Sequence, residues 1–349
     1  MSNKSISLVI AARNDNYMGN SNWRLETTLN YIASQLEIIH RLSDTEIIIV
    51  DWGSSSPLRK TIHVNASAEQ IIRYIEVPLD IHGAVCQGSD FPISIAFNVG
   101  IRRARGEYIA LTSGDVLWTG DILQSFFLPD KADIKFKEVL EQSLIFIPRK
   151  NIPWEFVNQN PGMDEITKYI ARNGDSLDVE PLMPFYLGCA GALVMHRNLW
   201  AECRGNDERL VFWGYNDIDL CLRMRLKYSC IDYDECANKS VYHLEHYPSR
   251  RGNDKMPRKS NPHIFNPFVV NEASWGLAQY TFAEFPQPRD GNILLLPAYN
   301  SEQEHLYRLR HLKNILFFMS TKFSVKHFRW SYSILKDLFI DTFTWHRNS

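Results

Sequence analysis

Three apolar runs, separated by stretches of helical spacing and each ending in polar or acidic residues, constrain this chain more than any other feature. Residues 5–12 and 46–51 are almost uninterruptedly apolar, and between them Leu25, Leu29, Ile32, Leu36 and Ile39 recur at helical intervals across 24–41. Residues 71–77 read as a third strand, 94–105 as a helix and 107–112 as another strand. Strands that are apolar on both faces must be covered on both faces, so strands alternating with helices predict a mostly parallel α/β sheet. Ligands of such sheets bind beyond the carboxyl ends of the strands. Those ends carry Arg13-Asn14-Asp15, Asp51-Trp52-Gly53-Ser54 and Ser113-Gly114-Asp115, which marks them as the place to look for a site.

The 349 residues, 45% hydrophobic and 22% charged, exclude a disordered, collagen-like or coiled-coil chain. With 38 basic and 40 acidic residues there is no global field to attract nucleic acid, so no nucleic-acid partner is expected. The six cysteines, at 86, 189, 203, 221, 230 and 236, form no C-x-x-C pair, which argues against a zinc finger or a disulfide framework and for a reducing compartment. The N-terminal apolar run is too short for a signal sequence, and no run reaches the roughly 18 apolar residues of a membrane span. A cytoplasmic protein is expected, with contact at the inner face of a membrane left open.

Further along, 148–187 is rich in Pro, Asn and Trp without clear periodicity and is expected to be a long loop, a lid or an acceptor-facing wall. Small residues at 188–192 lead into an apolar run at 193–195, and a helix is expected to open near Asn216 or Asp217 and run through Arg225. Proline-rich 248–305 reads as an irregular connection. Residues 305–349 hold eight Lys or Arg against two Asp, with ten aromatics. Leu306, Leu309, Leu312, Leu316, Met319 and Phe323 fall at three- or four-residue intervals there, which predicts an amphipathic helical extension. It suits either an anionic bilayer surface or packing on the catalytic domain or a second subunit.

The segments SLVIAARND, IIIVDWGSS and FNVGIRRARGEYIALTSGD, in that order, resemble inverting GT-A glycosyltransferases of the family 2 kind. The stretch GCAGALVMHRNLWAECRGNDERLVFWGYNDIDLCLR is similar to the acceptor-side block that this family shares with β-1,4-galactosyltransferases. The likeness spans about residues 5–247. It implies a Rossmann-like GT-A domain over 1–250, with a nucleotide-sugar half at 1–147 and an acceptor half at 148–250, then the connection at 251–304 and the extension at 305–349.

The resemblance also implies roles for individual residues. A diphosphate leaving group calls for a divalent cation, Mn²⁺ or Mg²⁺, held by hard ligands at a strand end. Asp115 matches the last acid of the family's D-x-D, and Ser113 stands where the first acid is usual. His243 and His246 are candidates for a second ligand, either of them joining Asp115. Ala11, Ala12, Arg13 and Asp51 match positions that line the nucleotide, Asp51 facing a uracil-like edge, with Asn98, Ser113 and Gly114 nearby. Asp51 is followed by Trp52, where the family more often has an acid or a small residue. Asp217 matches the general base that takes the proton of the acceptor hydroxyl. Trp213, Tyr215, Asn216 and Asp219 are its acceptor-side neighbours, Asn216 replacing the more common Glu.

The expected activity is transfer of a sugar from a nucleotide diphosphate donor, UDP-linked, to a glycan or lipid-linked glycan with inversion, in bacterial surface polysaccharide synthesis such as capsule or lipopolysaccharide. The alternative is a non-catalytic glycan- or nucleotide-sugar-binding member of the same fold, suggested by Ser113 and Asn216. A sugar nucleotidyltransferase would need a glycine-rich basic loop after the first strand, and AARNDNYMGN is poor in glycine.

Overall fold

The computed structural model describes residues 4–127, 141–179, 192–212, 214, 216–227, 229–232, 240–246, 261, 271–287 and 295–297. In chain order the strands are β1 (Lys4–Ala12), β2 (Thr45–Trp52), β3 (Ile72–Val77), β4 (Gly106–Thr112), β5 (Val116–Leu117), β6 (Ser143–Ile147), β7 (Arg149–Ile152), β8 (Ala192–His196), β9 (Ser229–Asp232), β10 (Val241–Leu244) and β11 (Ala283–Phe285). Eight of them form one sheet in the order β11-β3-β2-β1-β4-β8-β6-β9, and β5-β10-β7 form a second, small sheet. The neighbours β3, β2, β1 and β4 are parallel, while β8 and β11 enter antiparallel. The fold is therefore the mixed α/β arrangement that the alternating apolar runs predict.

Side-chain alternation along β1 divides the core in two. Ile6, Leu8 and Ile10 face Leu25, Leu29 and Ile32 of helix Ser21–Ile38, whereas Val9 packs with Ile48 and Val50 against Ala96 and Val99 of helix Ile93–Arg102. Covered on both faces, β2 is buried along its whole length. The passage from Asn98 to Gly106 shows why small residues recur there. A Cβ on Gly100 would lie 2.4 Å from Val9 Cγ1, and one on Gly106 would lie 2.5 Å from the backbone nitrogen of Ser7. Helix and strand approach β1 too closely for any side chain.

A buried ion network closes the opposite edge. Glu46 accepts from Ser7 Oγ (2.6 Å) and from Arg73 Nη2 (3.1 Å), and Arg73 Nη1 donates to Glu284 (2.7 Å) on β11. Arg103 donates to the carbonyls of Gly276 (2.8 Å) and Tyr280 (3.0 Å). Residues 271–287 thus belong to the body of the fold, with Trp275 and Phe282 in its core, where the sequence suggested an irregular connection. Three-residue β11 is too short for an alternation pattern to show.

The described part of the expected loop at 148–187, residues 148–179, carries regular structure. It contains β7, a short helix Trp154–Val157 and helix Met163–Asn173, which buries Ile166. Glu165 caps that helix by accepting from the Gly162 backbone nitrogen (2.7 Å). The boundary at 147/148 runs through packed structure, since β6 and β9 pair in the same sheet as β1. Helix Asn216–Lys227 begins where expected. Among the described residues no helix is long and apolar enough to cross a membrane. The extension at 305–349 lies outside the described residues.

Candidate metal and nucleotide site

In the parallel register Ala12 lies opposite Asp51 and Ile10 opposite Thr112, so the chain leaves β1, β2 and β4 at neighbouring points of one sheet edge. After β4, Ser113-Gly114-Asp115 turns the chain, with Ser113 O accepting from Val116 N (3.2 Å). The turn feeds β5, which pairs antiparallel with β10 so that His243 stands opposite Val116. The ladder extends by one bond, Leu244 N to Asp115 O (2.8 Å). The small sheet thereby carries two histidines, from far along the chain, to the acid after β4.

His243 Nε2 lies 3.6 Å from Asp115 Oδ2 and His246 Nε2 lies 3.7 Å from the same oxygen. The three ligand atoms lie within 4.8 Å of one another, a compact three-point set. Both histidines thus join Asp115, where the sequence left the choice between them open. Asn151 Oδ1 on β7 lies 3.0 Å from His243 Nδ1 and fixes the ring with Nε2 turned to the acid. Burial pushes the His246 imidazole down to about 4, so at neutral pH it is in the unprotonated form that binds metal. Its Nδ1 is buried and has no hydrogen-bond partner among the described residues. Burial alone would raise the Asp115 carboxyl, but His243, His246 and Arg24 outweigh it and hold Asp115 well below the usual carboxylate range. An ionised carboxylate beside two imidazoles fits a divalent cation and leaves coordination positions for further oxygens.

Arg24 is a neighbour that sequence reasoning missed. Its Nε lies 3.8 Å from Asp115 Oδ2, and its guanidinium donates to the carbonyls of Tyr17 (2.8 Å) and Gly19. Tyr17 in turn sets its ring edge-on to His246, centroids 6.0 Å apart. The signal was a basic residue beside the apolar positions of the first helix. Asn151 offered no signal, because it depends on a strand pairing across some ninety residues.

The nucleotide side is less uniform. Ala11, Ala12 and Arg13 are half-buried at the end of β1. Arg13 pairs with Asp15 (2.7 Å), donates to Asp90 O and lies over the Phe91 ring. Asn14 N donates to Ser54 Oγ (2.9 Å), joining the loops after β1 and β2. Ser113 is exposed and Gly114 half-buried against Leu25. Asp51 is buried, and its two oxygens accept from Ser54 Oγ and from Leu58 N (2.7 Å). Burial pushes its carboxyl up even though both bonds favour the charge. One acceptor site on each of its oxygens is thus taken by its own loop.

Three further residues of the expected site bond to the protein's own elements. Asn98 has no exposure: its Nδ2 donates to Asn206 O (2.9 Å) and Glu208 (3.0 Å), and its Oδ1 accepts from Asn206 N (2.8 Å). It clamps helix Ile93–Arg102 to the loop 204–208 and has nothing left for a donor sugar. Asp219 is buried against Arg223 (2.7 Å), which also donates to Gly205 O (3.0 Å), so the pair ties helix to loop. Asn216 donates to Ser94 Oγ (2.6 Å) and Leu210 O (2.9 Å), again a structural bond. Asp217 is half-buried in the first turn of its helix. Trp213 and Tyr215 lie outside the described residues.

Structural comparison finds the crystal structure of S. aureus TarS with UDP at TM-score 0.42 and 13% identity, covering 69% of this chain and 60% of that one. The chain thus spans less than two thirds of the TarS chain. Drosophila β1,4-galactosyltransferase 7 with xylobiose is found at TM-score 0.39 and 14% identity, over 77% of this chain and 84% of that one. GalNAc-T7 with UDP, GalNAc and Mn²⁺ is found at 0.42 and 13%, over 71% and 44%. Among curated proteins none matches the sequence. Residues 16–248, well over half of the chain, match the family described as Glycosyltransferase like family 2, and to that family of glycosyltransferases this chain belongs.

Proposed function

We propose that the chain transfers a sugar from a UDP-linked donor to a hydroxyl of a glycan or lipid-linked glycan, with inversion, in the assembly of a bacterial surface polysaccharide. The observation that carries this reading is the Asp115–His243–His246 cluster at the carboxyl end of the parallel strands. These three residues hold the cation, which when bound neutralises charge on the leaving diphosphate. A set of two imidazoles and one carboxylate suits Mn²⁺ better than the oxygen-seeking Mg²⁺. Asn151 fixes the His243 ring, and Arg24 holds the Tyr17–Gly19 turn beside Asp115. The stitched loops after β1 and β2 form the floor on which the nucleotide rests. Asp217 accepts the proton of the acceptor hydroxyl as that oxygen attacks the anomeric carbon from the face opposite the leaving group. The basic, aromatic stretch 305–349 supports contact with an anionic bilayer that carries the acceptor.

Thermal unfolding with UDP, GDP, CDP and TDP, each with Mn²⁺, Mg²⁺ or chelator, tests the reading. A ligand at a hundred times its Kd stabilises the native state by about 2.7 kcal/mol. UDP with Mn²⁺ is expected to raise Tm, and UDP with chelator is not. No shift for any nucleotide with either metal would refute the donor assignment.

A further inference from the structure

Trp52 stands where the family more often has an acid or a small residue, and the chemistry proposed above makes no use of it. Its side chain is completely buried, and its Nε1 donates to Nδ1 of His82 (2.8 Å), the two rings edge-on with centroids 6.4 Å apart. A ring nitrogen that accepts a hydrogen bond carries no proton, so in the neutral imidazole the hydrogen sits on Nε2. Burial, and after it the charge of Arg13, lowers the His82 pKa and keeps that neutral form. Trp52 thus locks His82 as an Nε2–H donor, and Nε2 has no partner among the described residues.

The location of this donor is equally defined. His82 belongs to helix Leu79–Val85, which follows β3 directly, and its Cβ would lie 3.5 Å from a Cβ built on Gly53, two residues beyond Asp51. Gly53 N donates to Val77 O (2.8 Å), which pins the ends of β2 and β3 together. At the far end of the same segment Arg13 bonds to Asp90 O and covers Phe91. Residues 78–91 therefore wall the carboxyl ends of β1, β2 and β3, on the nucleotide side. On that side Asp51 has both oxygens engaged by Ser54 and Leu58.

We infer that His82, held by Trp52, reads the base of the donor nucleotide: its Nε2–H donates to the O4 carbonyl of uracil and selects uridine over cytidine diphosphates. Cytosine presents an amino donor at that position, so two hydrogens would face each other and one donor would stay unpaired on binding. The inference rests on the nucleotide-sugar reading above and deepens it, since it names the residue that sets the donor class.

The test is calorimetric titration of UDP and of CDP, each with Mn²⁺, into the full chain, His82→Phe and Trp52→Phe. Phe at 82 keeps a ring against Trp52 and removes the Nε2–H donor together with the acceptor of the buried Trp52 indole, so its fold is confirmed by circular dichroism before the titration. The wild-type chain is expected to bind UDP about tenfold or more tighter than CDP, the scale of one mismatched hydrogen bond. In His82→Phe that preference collapses to within about threefold of unity while the Mn²⁺ requirement remains. Trp52→Phe, which frees the ring to change tautomer, is expected to narrow the preference in the same direction with its fold confirmed by circular dichroism. A wild-type chain that binds both nucleotides equally, or a His82→Phe chain with its preference intact, overturns the inference and leaves the glycosyltransferase reading standing. Failure of the wild-type chain to bind either nucleotide overturns both.

Discussion

Asp217→Asn is expected to lower sugar transfer by about 10²–10⁴-fold, the usual worth of a general base, and to leave nucleotide binding near the wild-type value. Asn matches Asp in size, so the first turn of helix Asn216–Lys227 keeps its packing. On the function proposed above, the lost group is the one that would take the acceptor proton, and the donor diphosphate would sit elsewhere, at the cation held by Asp115 and the histidines. The effect should therefore fall on turnover and not on the KM of the donor. If Asp217 only favours the helix dipole, the same change costs about 0.3–1 kcal/mol of stability and little rate. Steady-state transfer with a UDP-sugar, beside a melting curve, separates the two: turnover within a factor of about three of wild type contradicts a role as base.

Arg73→Ala is expected to destabilise the fold by about 3–5 kcal/mol, the cost of leaving a buried charge without its partner. Arg73, Glu46 and Glu284 are all nearly fully buried, and the one guanidinium serves both carboxylates across three strands. Removing it strands two acids between β2, β3 and β11. Replacing all three by apolar residues of similar size should cost far less than the single change, because no lone charge remains. Urea unfolding of Arg73→Ala checks this, and a loss below about 1 kcal/mol contradicts the network's structural role.

The legibility of this chain in its sequence follows the length of its elements. The runs of β1, β2 and β4 and the helix after β1 are long enough to show two-faced burial or helical spacing, and they stand within a few residues of where they were expected. The two-residue β5 and three-residue β11 carry no period, yet β5 is what brings Asp115 to His243. Helix Met163–Asn173 had its signal in Glu165, Ile166 and Ile170, hidden among flanking prolines and asparagines.

At the site, resemblance located positions but not what their atoms do. Asp115 and both histidines converge as a motif reading suggests. Asn98, Asn216, Asp219 and Asp51, equally part of those motifs, spend their hydrogen-bonding groups on neighbouring loops. A residue type retained for packing and one retained for binding look alike in sequence, because both are fixed by partners that lie far away in the chain.

In the proposed function, Asp115, His243 and His246 form a metal centre that serves the nucleotide. Electron paramagnetic resonance of free Mn²⁺, titrated into the full chain with and without UDP and repeated for Asp115→Asn, tests it most directly. The wild-type chain is expected to remove the free-ion signal at a one-to-one ratio and to bind Mn²⁺ more tightly with UDP present, by linkage between the two ligands. Asp115→Asn is expected to do neither. A free-ion signal that the wild-type chain leaves untouched, or one that Asp115→Asn removes equally well, would contradict it.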